Sequence, residues 1–265
     1  MAGKSRRQVL FARRLAAASI ALGLVAAGCG DGGETAKGGE AKAQFSDYCA
    51  KSLAIETYPE PDFSNFDSLP PEQQSQVVKT FTSQLLPIGE QVVAAAPPEL
   101  KTDGNLLLDV ARKASQTGDP SGFDEPTFKA AEGRLHAFDL ANCGWASADV
   151  TAKDYSFSGV PESVEPGPLS IQLANEGKDI HDLTVFRIND GVTDSVKDII
   201  ALPQEEGMKK VTMMGATFAE PGGSDYKVFK LEKGSYGVAC FVPLGEKHDG
   251  PPHASKGMYA SFTVK

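Results

Sequence analysis

The sequence contains no apolar run long enough to cross a membrane as a helix. The stretch from Leu15 to Gly28 is rich in Ala and Gly, and it falls short of the roughly 20 strongly apolar residues that a bilayer span needs. The chain is also poor in histidine, with four, and in tryptophan, with one. It has no recognisable hydrolytic triad, and its first half has no paired carboxylates, nucleophile motif or phosphate-binding loop. We therefore predict neither a membrane-spanning helix nor an enzyme.

Basic residues are in the minority, above all after the first 28 residues. Residues 1–28 hold five of the 26 basic residues and none of the 35 acidic ones, so the chain without them has a formal net charge of −14 in place of −9. A surface of this charge repels nucleic acid and anionic lipid headgroups. Nucleic acid is therefore not an expected partner.

The first 28 residues have the layout of a signal peptide, with basic residues followed by a short apolar stretch. The segment Val25–Cys29 resembles the lipobox of bacterial lipoproteins. That resemblance implies cleavage before Cys29 and a diacylglycerol or N-acyl lipid on this cysteine, so we expect an extracytoplasmic protein anchored to the cell membrane. An ordinary signal peptide with an incidental cysteine is the alternative. The basic residues of the segment are Lys4, Arg6, Arg7, Arg13 and Arg14.

Two features around the signal peptide concern export and tethering. Residues Ser5 to Leu10 resemble a twin-arginine export motif, with Val where Phe is usual, and a plain positively charged start of a general signal peptide remains an equal alternative. Residues 29–43 contain no large apolar side chain. Such a segment buries too little surface to fold, so we predict a flexible linker.

The four cysteines predict one disulfide and one free thiol. Thiols are oxidised outside the cytoplasm, and a lipid on Cys29 leaves three cysteines. Cys49 and Cys143 lie near the start and the end of the helical region, and we pair them with each other. Cys240 is then left over, which is unusual outside the cell and calls for a reason.

Residues 44–147 have a helical pattern and predict a small bundle. The segments that begin at Pro70, Pro98 and Asp124 each carry apolar residues at helical spacing, and proline is favoured at the start of a helix. Pro87 is expected to kink the first of them. His136 lies beside the apolar stripe of the last helix with no ligand-like neighbour in sequence, so we interpret it as structural.

Residues 148–265 have a sequence pattern typical of a β-sandwich. Short runs with strand alternation are separated by turn signals, and six or seven of them fit into this length. A short helix is predicted near residues 196–214. The predicted strands are 149–152, 155–157, 169–173, 183–188, 225–229, 236–242 and 259–264.

This second region resembles the cupredoxin family over residues 150–265. Asn175-Glu176-Gly177 followed by His181 is similar to the family's Asn-x-Gly…His, and Cys240 followed by His253 and Met258 is similar to its Cys…His-x-x-x-x-Met. The resemblance implies one type 1 copper held by His181, Cys240, His253 and Met258, electron transfer or copper holding as the function, and a redox partner protein. The predicted fold class is α+β with two domains, a helical bundle followed by a cupredoxin-like Greek-key β-sandwich.

Copper chemistry explains these residue types. A copper ion that exchanges one electron favours two imidazoles and a thiolate in a trigonal set with a weak axial thioether, and a thiolate ligand would also account for the unpaired Cys240. One departure is the loop of twelve residues between Cys240 and His253, which is longer than usual in the family. His248 lies in this loop and is interpreted as part of a solvated turn. The alternative is a metal-free envelope lipoprotein that binds a protein or a small ligand.

Overall fold

A computed structural model describes residues 35–36, 38–59, 61, 66–246 and 250–265. Within these, the chain forms two compact units. The first is Glu40–Gly144, and the second is Trp145–Lys265 together with the described residues before Glu40. The predicted domain boundary after residue 147 lies a few residues beyond this division, because a strand of the second unit already begins at Ala146. Cys29, the signal peptide and the twin-arginine segment lie outside the described residues.

The first unit is helical, as predicted. Pro71 and Pro126 are each the first residue of a helix, and Gly118 ends another in the left-handed conformation with φ of 72°, which glycine adopts without strain. Pro87 lies inside its helix without ending it. The four helices are α1 (Ser46–Glu56), α2 (Pro71–Ala95), α3 (Lys101–Thr117) and α4 (Pro126–Asn142).

A disulfide joins the first and last helices of this unit. Cys49 in α1 is bonded to Cys143, which directly follows α4, across a sequence separation of 94 residues. Beside it, the buried hydroxyl of Ser52 donates to the carboxylate of Asp139 at 2.6 Å, and burial raises the pKa of Asp139 to about 6. The predicted pairing of these two cysteines therefore matches the structure, and Cys240 is the one free cysteine of the described part.

The second unit is a sandwich of two sheets. One sheet has the strand order β1-β4-β10-β9-β6-β7 and the other β3-β2-β5-β8. The apolar side chains of both sheets form one core. The predicted α+β class, a helical region followed by a β-sandwich, is confirmed. The strands are β1 (Thr35–Ala36), β2 (Ala146–Lys153), β3 (Ser156–Ser158), β4 (Ser163–Val164), β5 (Gly167–Asn175), β6 (His181–Ile188), β7 (Val211–Ala219), β8 (Ser224–Leu231), β9 (Gly234–Ala239) and β10 (Tyr259–Val264).

The segment 196–214 differs from its prediction. It contains two short helices, α5 (Val196–Ala201) and α6 (Gln204–Lys210), and strand β7 begins directly after them. Pro203 separates the helices and precedes the first residue of α6. The prediction of one helix up to residue 214 is wrong because β7 pairs with β6 from Val211 onwards.

Part of the predicted flexible linker is paired with the sandwich. β1 lies parallel to β4, and the amide of Glu165 donates to the carbonyl of Ala36 at 3.4 Å. Backbone groups at a sheet edge accept another strand whatever its side chains are, so the small polar composition of this segment did not predict the pairing. In the described part of the chain, no helix is long and apolar enough to cross a membrane.

Candidate metal centre

The predicted ligands lie at one end of the larger sheet. His181 is the first residue of β6, and Cys240 directly follows β9. These strands are antiparallel neighbours with Thr184 opposite Ala239, so the start of one meets the end of the other. His253 opens a short 3-10 turn, His253–Lys256. The topology thus brings together residues that are far apart in sequence.

The long loop between Cys240 and His253 is closed at its base. The residues on either side of it continue the antiparallel pairing of β9 and β10, and Pro243 and Pro252 form a bridge. The pairing fixes Cys240 and His253 next to each other, so the extra length lies beyond the site. His248 is outside the described residues. Three backbone hydrogen bonds close the base, from the amide of Ala254 to the carbonyl of Cys240 (2.8 Å), from His253 to Val242 (2.9 Å) and from Leu244 to Pro251 (2.9 Å).

Three ligand atoms form a compact triangle. The Nδ1 atoms of His181 and His253 are 3.1 Å apart, and Cys240 Sγ is 3.8 Å from the first and 3.5 Å from the second. A point equidistant from all three lies about 2 Å from each, which is the length of a bond from a transition metal to nitrogen or thiolate sulfur. All three side chains are fully buried. Within the described residues, no other group of His, Cys, Asp and Glu side chains could hold a metal ion in this way.

Met258, the predicted fourth ligand, is also fully buried and directly precedes β10. Its backbone carbonyl accepts from the amide of Cys240 at 3.0 Å. His136, in contrast, lies buried in the helical unit, where burial lowers its pKa to about 4. Of the histidines that the structure describes, two therefore converge on the centre and His136 does not.

No family model matches the chain, and no curated protein matches it. Solved structures similar to its C-terminal part are blue copper proteins and other cupredoxins. Auracyanin from Roseiflexus castenholzii is 19% identical over 45% of this chain and 96% of its own, with a TM-score of 0.32. Auracyanin A, a "blue" copper protein from Chloroflexus aurantiacus, is 15% identical over 45% and 98%, with a TM-score of 0.31. Reduced rusticyanin is 16% identical over 45% and 79%, with a TM-score of 0.28. At these values the likeness carries no argument about what this chain binds.

Asp154 orients the first imidazole, a role that the sequence did not suggest. Its Oδ1 lies 2.8 Å from His181 Nε2, so Nε2 carries the proton and Nδ1 keeps its lone pair towards Cys240. The backbone amides of Lys178 and Asp179 donate to the same carboxylate. Although burial opposes it, these bonds lower the pKa of Asp154. A carboxylate behind a histidine is a common way to fix the ring of a metal ligand.

Gly177 leaves the space in which this contact forms. A Cβ at this position would lie 2.3 Å from Asp154 Oδ1 and 2.7 Å from His181 Nε2. Asn175 shapes the turn, since its Oδ1 accepts from the amide of Gly177 at 2.8 Å and its Nδ2 donates to the carbonyl of Asp179. The Asn-x-Gly motif therefore positions His181 instead of binding a ligand itself.

The second imidazole has a buried nitrogen without a partner. His253 Nε2 has no hydrogen bond, and Asp179 Oδ2 lies 3.8 Å from it. Two lone pairs cannot face each other at 3.1 Å, so without a metal His253 must carry its proton on Nδ1 and donate to His181. If His253 held a metal through Nδ1, its ring would carry the proton on Nε2, on the side of the Asp179 carboxylate. A buried ring nitrogen without a hydrogen-bond partner is consistent with a centre that binds a metal.

Cys240 has backbone hydrogen bonds to Asp182 and Val242 and an acidic neighbour. The backbone amide of Asp182 donates to Cys240 Sγ at 3.4 Å, and the carboxylate of Asp182 accepts from the amide of Phe241 at 2.7 Å. Burial, followed by the charge of Asp182, raises the pKa of the Cys240 thiol. Burial and the neighbouring His181 lower the pKa of His253. Without metal the centre therefore holds a protonated Cys240 thiol beside a neutral His253, and a metal that binds the sulfur would displace the thiol proton.

Proposed function

We propose that the β-sandwich unit binds one type 1 copper ion and carries single electrons. The buried triangle of two Nδ1 atoms and one Sγ is the observation that supports this most directly. A His₂Cys set with an axial methionine is typical of blue copper sites, and Met258 would supply the axial sulfur. Zinc instead prefers four strong ligands in a tetrahedron.

The surrounding residues serve this function by fixing the positions of the ligands and shielding them from water. His181 is fixed by Asp154, Cys240 by the amide of Asp182, and His253 by the backbone pairing at the base of its loop. A bound copper ion supplies the one-electron redox couple. Because the ligands are preorganised on strand ends, little rearrangement accompanies a change of oxidation state.

We further propose that the chain is exported and tethered to the membrane through a lipid on Cys29, so that electrons are exchanged outside the cytoplasm. The lipobox-like segment Val25–Cys29 and the apolar stretch before it support this. The activity is electron transfer without catalysis on a substrate. The metal-free binding protein is the alternative that a negative copper titration would favour.

Calorimetric titration of the metal-free protein with copper(II) tests the proposal. We expect saturation at one ion per chain. His253→Gln should weaken this binding by about 100-fold or more, since loss of an outer partner alone costs 10–100-fold. His136→Gln is the matched control, because His136 is also buried but lies in the helical unit. Equal binding by both variants would contradict the proposed ligand set.

Replacing Asp154 with asparagine should weaken copper binding by about 10–100-fold. The amide oxygen can still accept from the backbone of Lys178, but its NH₂ group faces His181 Nε2 and draws the ring proton to Nδ1, the ligand atom. Competition with a chelator measures the affinity. Asp149→Asn, at an exposed position of β2, is the control. The same loss in both variants would show that Asp154 has no orienting role.

A further inference from the structure

The ligands of the proposed copper centre do not reach the surface. His181, Cys240, His253 and Met258 are all fully buried. An electron that enters or leaves must therefore cross a residue that covers them. Which residue does so determines where a redox partner binds, and the inference that follows rests on the proposed function.

The ring of Tyr155 lies against the imidazoles. Its ring is in edge contact with His253, at 4.7 Å between centroids, and lies 6.5 Å from the ring of His181. Tyr155 is itself half-buried, so one side of it faces solvent. Its hydroxyl donates to Asp179 Oδ2 at 3.0 Å, which holds the ring in place. Tyr155 therefore connects a ligand ring to solvent by direct contact.

Two partly exposed carboxylates lie beside Tyr155. The side chains of Asp154 and Asp179 are 26% and 33% exposed, and in the described part of the chain neither pairs with a lysine or arginine. Lys153 and Glu176 pair with each other at 2.9 Å, so their charges cancel. Lys178 directly precedes Asp179, and Lys256 ends the turn that His253 opens. Among the described residues neither lysine forms an ion pair with Asp154 or Asp179, and the chain as a whole is acidic, with 35 Asp and Glu against 26 Lys and Arg. We call Tyr155, Asp154 and Asp179 the Tyr155 face.

We infer that electrons cross at the Tyr155 face, and that the partner is a redox protein with a positively charged surface around its own redox group. In each exchange the reduced centre loses one electron and the oxidised partner gains it. No bond forms or breaks and no proton is transferred. Opposite charges on the two surfaces increase the encounter rate and set the docking orientation.

Phe241 is the competing site of exit. It directly follows Cys240, and its side chain is 39% exposed. Among the ring contacts of the described residues, however, none joins Phe241 to an imidazole. The backbone amide of Phe241 donates a hydrogen bond to the carboxylate of Asp182. Phe241 thus reaches the centre only through the backbone, whereas Tyr155 touches a ligand ring directly.

Electron transfer with small redox complexes of opposite charge tests the inference. The full chain is loaded with copper and reduced, and its oxidation is followed at low ionic strength with tripositive tris(phenanthroline)cobalt(III) and with trinegative hexacyanoferrate(III). Asp179→Asn keeps an acceptor for the Tyr155 hydroxyl but removes one charge. We expect the ratio of the cationic to the anionic rate to fall by about threefold or more, and to recover at high salt. We compare the ratio of the two rates because a change in the reduction potential of the copper centre would alter the rates with both complexes alike.

Glu232→Gln is the matched control. Glu232 lies just before β9, at the opposite end of this strand from Cys240, and it is exposed. This variant should leave the rate ratio unchanged. An equal change in both variants, or a larger rate loss in Phe241→Ala than in Asp179→Asn, would overturn the inference alone. If the unaltered protein with copper shows no thiolate-to-copper absorption, the proposed function fails, and the inference fails with it.

Discussion

Replacing Cys240 with serine is expected to abolish the visible absorption of the copper-loaded protein. The intense band of a type 1 centre needs the thiolate as a ligand, and Cys240 is the one free cysteine of the described residues. Serine is close to cysteine in size, so the variant should still fold even though position 240 is fully buried. Absorption spectra of the two proteins at equal copper content measure the difference. We expect loss of the band, not a shift.

Met258→Leu is the matched comparison for this variant. It removes the other buried sulfur at the same end of the sandwich at nearly constant volume, a change that cores tolerate well. The band should persist, because the axial thioether is only a weak ligand. Loss of the band in Met258→Leu but not in Cys240→Ser would reverse the roles that we propose for the two sulfur atoms.

Replacing both Cys49 and Cys143 with serine should lower the free energy of unfolding of the helical unit by about 3–5 kcal/mol. The bond closes a loop with a sequence separation of 94 residues. Its removal frees the unfolded chain of a long-range restraint, and the chain-entropy model gives a large effect for such a loop. Urea unfolding followed by circular dichroism at the helical band measures it.

Cys240→Ser serves as the control for the disulfide as well. It is the same substitution in the other unit, where Cys240 has no disulfide partner, and should leave the helical transition unchanged. A double variant that unfolds at the same urea concentration as the unaltered protein would show that the bond contributes nothing to the stability of the bundle.

Elements with local signals could be predicted from the sequence. The helical segments predicted to begin at Pro70, Pro98 and Asp124 correspond to α2, α3 and α4, which begin one to three residues later. The disulfide was predicted from the expected lipidation of Cys29 and from the positions of Cys49 and Cys143 at the two ends of the helical region. The resemblance to the cupredoxin motifs predicted a ligand set, and the structure brings His181, Cys240 and His253 of that set together.

Features that depend on distant contacts could not be predicted. Asp154 lies in a turn 27 residues before His181, and nothing local marks it as the partner of an imidazole. Strand β7 was missed because its side chains do not alternate cleanly between buried and exposed. The length of the loop before His253 suggested a loose ligand, whereas backbone pairing at its base holds the residue in place.

Visible absorption and electron paramagnetic resonance of the protein with one equivalent of copper(II) test the central claim most directly. The proposed centre predicts an intense band at about 600 nm and a narrow copper hyperfine splitting, as a His₂Cys site gives. Both should disappear in Cys240→Ser. No band, or the same signal with and without the thiol, would contradict a type 1 centre formed by His181, Cys240 and His253.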